Sequence, residues 1–191
     1  MPRRPALACA ALLLALLALA GPSAAATLQG VTYPDSVQVE GKTLKLQGLG
    51  LRKKLVFSVY VGALYLTTPT SDAAAAARAD EPKRIALKFL RDVDAAAIRE
   101  AWEDGFFKNA QEKLSTLKPR IDAFLKIAAP DMKKGQELSF TYAPGAGTRV
   151  AVNGADRGAV EGRDFAEALF LIWLGDQPPT QDLKKGMLGG P

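Results

Sequence analysis

A chain of 191 residues with no histidine and a single cysteine, Cys9, lacks the side chains from which many catalytic and metal centres are built. Structural zinc sites, cysteine–histidine proteases and Ser-His-Asp hydrolases are excluded, and acid–base chemistry is left to Asp, Glu, Lys, Tyr or water. The formal net charge of +5 falls to about +3 once Arg3 and Arg4 are set aside, 23 basic residues against 20 acidic, a balance that argues for neither nucleic acid nor a membrane surface as partner.

The first 26 residues read as a secretory signal. Arg3 and Arg4 make a positive n-region, Ala6 to Ala20 is an unbroken apolar run of 15 residues, and Gly21-Pro22-Ser23 interrupts it. Ala24-Ala25-Ala26 then supplies small residues at the −3 and −1 positions of a cut before Thr27. As a helix the apolar run covers roughly 22 Å, short of a hydrocarbon core of about 30 Å, which favours cleavage over a retained anchor. Cys9 precedes most of the run and is misplaced for lipidation. The expected product is a single domain, residues 27–191, periplasmic or secreted, with no stable membrane span and no cysteine to mispair in an oxidising compartment.

From Thr27 to Leu66 the pattern is β. Val37 and Val39 alternate with polar residues, Glu40-Gly41-Lys42 makes a turn, and Leu44 and Leu46 resume the alternation. Gly48-Leu49-Gly50 leads into Leu55 to Leu66, apolar on both parities, which predicts one strand covered on both faces. Asp72 to Ala79 reads as a short helix capped by Ser71 or Asp72. Lys83 to Leu90 is a further strand with Ile85, Leu87 and Phe89 on one side.

Asp92 or Asp94 then caps a helix with an apolar stripe at Ile98, Trp102, Phe106 and Ala110. A second helix carries Leu117, Ile121, Phe124, Leu125 and Ala128, with Pro119 placed in its first turn. Gln136 to Tyr142 and Thr148 to Val152 form a hairpin around Pro144 to Gly147, and Asn153-Gly154 marks another turn. Asp164 to Leu174 is the last helix; Gly175 ends it and Pro178-Pro179 is read as preventing a restart. Strands and helices come in blocks without βαβ alternation, so the fold class is α+β: one antiparallel sheet with a layer of helices on it.

Candidate site residues sit around the glycine-rich segment. Gly48-Leu49-Gly50-Leu51-Arg52-Lys53 is no phosphate loop, because an apolar strand and not a helix N-terminus follows it. Arg52, read as opening the long apolar strand, is placed to grip a carboxylate or phenolate at a pocket mouth, against the alternative of a solvated strand end. Even spacing puts Tyr60 on the face of Arg52 and Tyr65 on the other, unless a bulge at Gly62 swings Tyr65 across. Trp173 belongs by spacing to the core stripe of the last helix, with lining a pocket beneath it as the lesser alternative.

Four ordered segments, GLGLRKKLVFSVYVGALYL, LKFLRDVDAAAIREAWEDGF, FTYAPGAGTRVAVNG and GRDFAEALFLIWLG with its following diproline, resemble the bacterial chalcone isomerase-like proteins over Val31 to about Gly186. The resemblance implies an antiparallel sheet layered with helices, and a site that works without cofactor or metal. It matches Arg52 to the arginine that holds a reacting oxygen in the plant isomerases, and Ser58, at a different spacing, to their threonine. The span 85–108 holds no tyrosine, Asn109 is the only asparagine near the position the family implies, and the last helix lacks the family's hydroxyl residue, departures that weigh against chalcone cyclisation. Fatty-acid-binding relatives hold a carboxylate with an arginine and a tyrosine, and Arg52 with Tyr65 is similar to that pair.

Three functions follow as expectations. The first is an exported, non-catalytic domain binding a small hydrophobic ligand with an acidic end, such as a fatty acid, through Arg52 with Tyr65, Tyr60 and Ser58. The second is a cofactor-independent intramolecular lyase in which Arg52 stabilises charge and Tyr60, Tyr65 or water moves the proton. The third is a structural or partner-binding protein of the envelope.

Overall fold

The computed structural model describes residues 25–190. The expected signal segment lies outside the described residues, apart from Ala25 and Ala26. The first two strands, β1 (Ala25–Leu28) and β2 (Val31–Pro34), pair as a separate hairpin. Seven more form one sheet: β3 (Ser36–Val39), β4 (Lys42–Lys54), β5 (Phe57–Leu66), β6 (Lys83–Phe89), β7 (Glu137–Ala143), β8 (Gly147–Val152) and β9 (Ala155–Val160). Their spatial order is their chain order and every neighbouring pair is antiparallel.

Two-residue turns set the register of three hairpins. Gln29-Gly30, Glu40-Gly41 and Asn153-Gly154 each hold both central residues at positive φ, the geometry that follows the strand twist. The apolar run 55–66 is where the reading of one strand fails. Leu55 and Val56 form the turn between β4 and β5, so the strand starts at Phe57 and Arg52 belongs to the end of β4. The expectation of cover on both faces holds for the rest of it, because Tyr60 to Leu66 is buried throughout.

Among the described residues, five α-helices complete the fold: α1 (Ala73–Arg78), α2 (Ala95–Asn109), α3 (Leu114–Ala128), α4 (Arg163–Leu174) and α5 (Gln181–Met187). Asp72 caps α1 by accepting from the amides of Ala74 and Ala75, and Asp94 caps α2 by accepting from Ala97 at 2.7 Å. Asp92 instead ties the loop before α2 to Lys133 and Lys134. Pro119 falls in the second turn of α3, not the first, because Leu114 already begins the helix. The diproline does not end helix formation: Thr180 accepts from the amide of Leu183 and starts α5.

Two cores lie on opposite sides of the sheet. On the helix side Trp102, Phe106, Phe124, Phe140, Phe165 and Trp173 interlock with ring centroids 5.4–6.3 Å apart. The opposite side packs Val61, Ala63, Tyr65 and Ala86 against Tyr33, Val39 and Leu44. Tyr33 pins the β1–β2 hairpin there, its hydroxyl directed at the carbonyls of Val61 and Ala86.

The helix α5 reaches the sheet because β4 carries no side chains where it lands. A Cβ at Gly50 would collide with the carbonyl of Leu183, one at Gly48 with that of Gly186, and one at Gly186 with that of Leu49. The Gly-x-Gly spacing puts both strand glycines on one face, and backbone there packs directly on backbone.

Candidate functional site

Arg52 and Tyr60 lie directly opposite each other on β4 and β5 and share a face. That face is the helix side, where Tyr60 is 7% exposed and its ring tilts against Phe89 at 5.8 Å. The Tyr60 hydroxyl accepts a hydrogen bond from the indole N–H of Trp173 at 3.1 Å. An indole nitrogen only donates, so the Tyr60 proton remains to be given, and it has no acceptor among the described residues. Burial, offset in part by Trp173 and by the charge of Arg52, pushes the phenol up to about 12. Tyr60 is therefore a neutral donor at physiological pH. The half-buried Arg52 guanidinium donates to the carbonyl of Lys53 and joins no ion pair among the described residues. The pair thus offers one cation and one spare hydroxyl proton on a shared face, donor types that an anion accepts from.

The other two expected residues are elsewhere. No bulge occurs at Gly62, which pairs in register with Gly50 and Leu87, so Tyr65 stays on the far face. There it donates to the carbonyl of Pro34 at 2.9 Å and faces Arg84 across β6, not Arg52. A bulge falls instead at Val59: Arg52 pairs with Tyr60 while Lys53 pairs with Ser58, which leaves Val59 as the extra residue. Ser58 consequently shares the side of Lys53 and leaves that of Arg52 and Tyr60. Asn109 is also committed elsewhere, its amide accepting from Gln177 and donating to Gly105 and Gln177 at 3.0–3.1 Å.

Trp173 lies in the helix-side core, as the spacing of its helix indicated, whereas α5 is the part the sequence conceals. Leu183 and Met187 of α5 cover Gly62, two residues along the strand from Tyr60: a Cβ built on Gly62 would meet Met187 Sδ at 3.3 Å and Leu183 at 3.5 Å. The signal for α5 was the Gly-x-Gly of β4, which in a strand marks a close backbone approach. Three surface clefts of about 830, 520 and 380 Å³ lie by β1 and β4, between α2 and α3, and beside α1; none is lined by Arg52, Ser58, Tyr60 or Tyr65.

A family model described as chalcone isomerase-like matches residues 25–189. The chain belongs to the chalcone isomerase-like family. Among solved structures, the fatty-acid binding protein of Arabidopsis thaliana is similar in fold to this chalcone isomerase-like chain, with a TM-score of 0.67 and 17% identity over 86% of this chain and 96% of that one. No curated protein matches in sequence. The α+β class read from the sequence is thereby confirmed as the chalcone isomerase-like fold, a curled antiparallel sheet with helices packed on it. Among the described residues, no helix is long and apolar enough to cross a membrane.

Proposed function

We propose that this chalcone isomerase-like domain binds a small apolar anion, such as a fatty acid, without transforming it. The observation that carries the reading is the unspent hydroxyl proton of Tyr60 beside Arg52. A carboxylate placed between them takes the guanidinium as counter-ion and the phenol as donor. The acyl chain runs from there beneath α5, over Gly62, and displaces Met187 and Leu183; methionine repacks readily around an irregular guest. The similarity in fold to a plant fatty-acid binding protein supports the ligand class.

The test is displacement of a fluorescent fatty acid, with native mass spectrometry of protein purified from its own host. Removing a charge-assisted hydrogen bond costs about 1.5–3 kcal/mol, so Arg52→Ala should weaken binding by about ten- to a hundredfold. Tyr60→Phe should weaken it less, and Tyr65→Phe not at all. Equal affinity of Arg52→Ala and wild type for every acid tried would refute the reading. Export is part of the same proposal, resting on the leader pattern: mature protein from the host envelope should begin at Thr27, and a retained leader would count against it.

A further inference from the structure

The turn joining β4 to β5 is the most exposed apolar feature of the described chain. Leu55 is 89% exposed, Val56 87% and Phe57 54%, three of the four large hydrophobic side chains left in solvent among the described residues. Leu55 and Val56 stand almost wholly in solvent, although a few residues away Tyr60 to Leu66 is buried throughout. Leu55 also sits at φ +56°, a left-handed conformation that glycine adopts freely and a branched side chain does not. The other two-residue turns at positive φ each include glycine, at Gly30, Gly41 and Gly154. A leucine held in this conformation and extended into water is unfavourable on both counts for the isolated domain, and such strain concentrates where a contact is made.

Charge surrounds the same tip. Arg52, Lys53 and Lys54 precede it, the only run of three basic residues in the chain, and the Arg91 guanidinium lies 4.7 Å from the ring centre of Phe57. None of the four is in an ion pair among the described residues. The nearest acid in sequence, Asp92, is taken by Lys133 at 3.0 Å. The fourth exposed hydrophobic, Phe107, differs: it lies among Glu103, Asp104 and Lys108, a mixed surface of no single sign. The near-neutral whole-chain balance hides the concentration at the tip, because folding brings Arg91 of the β6–α2 loop beside the run.

We infer that the β4–β5 tip docks on an anionic phospholipid surface, with Leu55 and Val56 entering the headgroup–acyl boundary and Lys53, Lys54 and Arg91 meeting lipid phosphates. Apolar side chains at the extremity of a hairpin, beside cations in no ion pair among the described residues, match the two attractions that hold peripheral proteins to such surfaces. The charge complementarity favours lipid over a second copy of this chain, whose identical tip would bring like charges together. The inference stands apart from the identity of any ligand, since Leu55 and Val56 are in solvent whereas Tyr60, Phe89 and Trp173 are buried in the helix-side core.

Co-sedimentation of the protein with vesicles of phosphatidylethanolamine and phosphatidylglycerol, against vesicles of phosphatidylcholine alone, tests it. Binding is expected on the anionic vesicles and should fall as salt is raised. Val56→Ser, and separately Lys53→Glu with Lys54→Glu, should weaken it by about tenfold or more. Leu55→Gly separates docking from folding: it should melt no lower than wild type, because it relieves the positive φ, yet lose vesicle binding. Fatty-acid affinity in the absence of vesicles should be unchanged in all three. Absence of binding to anionic vesicles at low salt, or binding indifferent to Leu55→Gly and Val56→Ser, would overturn the inference. So would a dimer in sedimentation velocity that Leu55→Gly dissolves, which would assign the tip to a second copy.

Discussion

The indole of Trp173 donates to the hydroxyl of Tyr60 across 3.1 Å, and this bond ties the last turn of α4 to β5 inside the helix-side core. Each partner is the means by which the other's polar atom tolerates burial. Tyr60→Phe leaves a buried N–H unpaired and should cost about 1–3 kcal/mol in denaturant unfolding. Trp173→Phe adds the loss of a large buried ring and should cost more. The double variant is expected to be less destabilised than the two losses summed, because the second substitution removes a group the first has already stranded. Strict additivity in that cycle would show that the bond contributes nothing to the fold.

Alkaline pH should unfold the domain through its tyrosines. Burial raises all four: Tyr60, Tyr65 and Tyr142 to about 12, and Tyr33 further still. Raised folded values mean that the unfolded chain releases protons first, so the stability is present below about pH 10 and is lost as pH climbs from there towards 12. Tyr60 alone accounts for about 3 kcal/mol over that window. Lys83 acts with the opposite sign. Its ammonium is buried against the carbonyls of Ala76, Ala77 and Ala79, and burial pushes it down to about 8. The folded protein gives up this proton before the unfolded chain does, so stability gains as pH rises from about 8 towards 10.5. Chemical denaturation across pH should therefore show a rise that Lys83→Met abolishes, followed by a fall that coincides with tyrosinate absorbance.

Gly50→Val should detach α5 without unfolding the sheet. Any Cβ at this position meets the Leu183 carbonyl, and backbone cannot be moved aside as a flexible side chain can. Hydrogen exchange should show lost protection confined to Gln181–Met187 and the adjoining part of β4, with the β6–β7 pairs unaffected. Uniform loss of protection would mean that α5 and the sheet form one cooperative unit.

Phe124→Ala should be among the most damaging single substitutions in the domain. The ring has Trp102, Phe106, Phe140 and Phe165 around it at 5.6–6.3 Å, and its removal opens a cavity shared by three helices and the sheet. A loss of about 3–5 kcal/mol is expected from a thermal or denaturant melt. A loss below about 1 kcal/mol would indicate that the neighbouring rings collapse into the space.

The sequence disclosed whatever depended on periodicity. The stripe Ile98, Trp102, Phe106 and the alternation Ile85, Leu87, Phe89 are local patterns, and both face the helix-side core as spacing requires. It concealed what depended on contacts distant along the chain. Lys54-Leu55-Val56-Phe57 contains no Gly, Pro, Asn or Asp, so composition gives no sign of the turn that cuts the apolar run. The helix α5 offers only Leu183 and Met187 as apolar anchors and carries a glycine, and it is legible only from the glycines of β4 that receive it. Arg52 and Tyr60 fell on one face in the sequence reading by even spacing along a single strand; they share that face in the structure by pairing across two. The Arg52–Tyr65 pair suggested by resemblance does not form, because Gly62 stays in register.

β5 belongs to two cores at once, with Tyr60, Leu64 and Leu66 in one and Val61, Ala63 and Tyr65 in the other. An alanine scan along it should resolve into two interleaved traces, one following the helix-side packing and, under the proposed function, fatty-acid affinity, the other following only the seating of the β1–β2 hairpin. The strand carries two messages on alternate letters. Substitution can rewrite the letters that face α4 while those facing Tyr33 keep their spelling, so that one face of this architecture is free to change without renegotiating how the other folds.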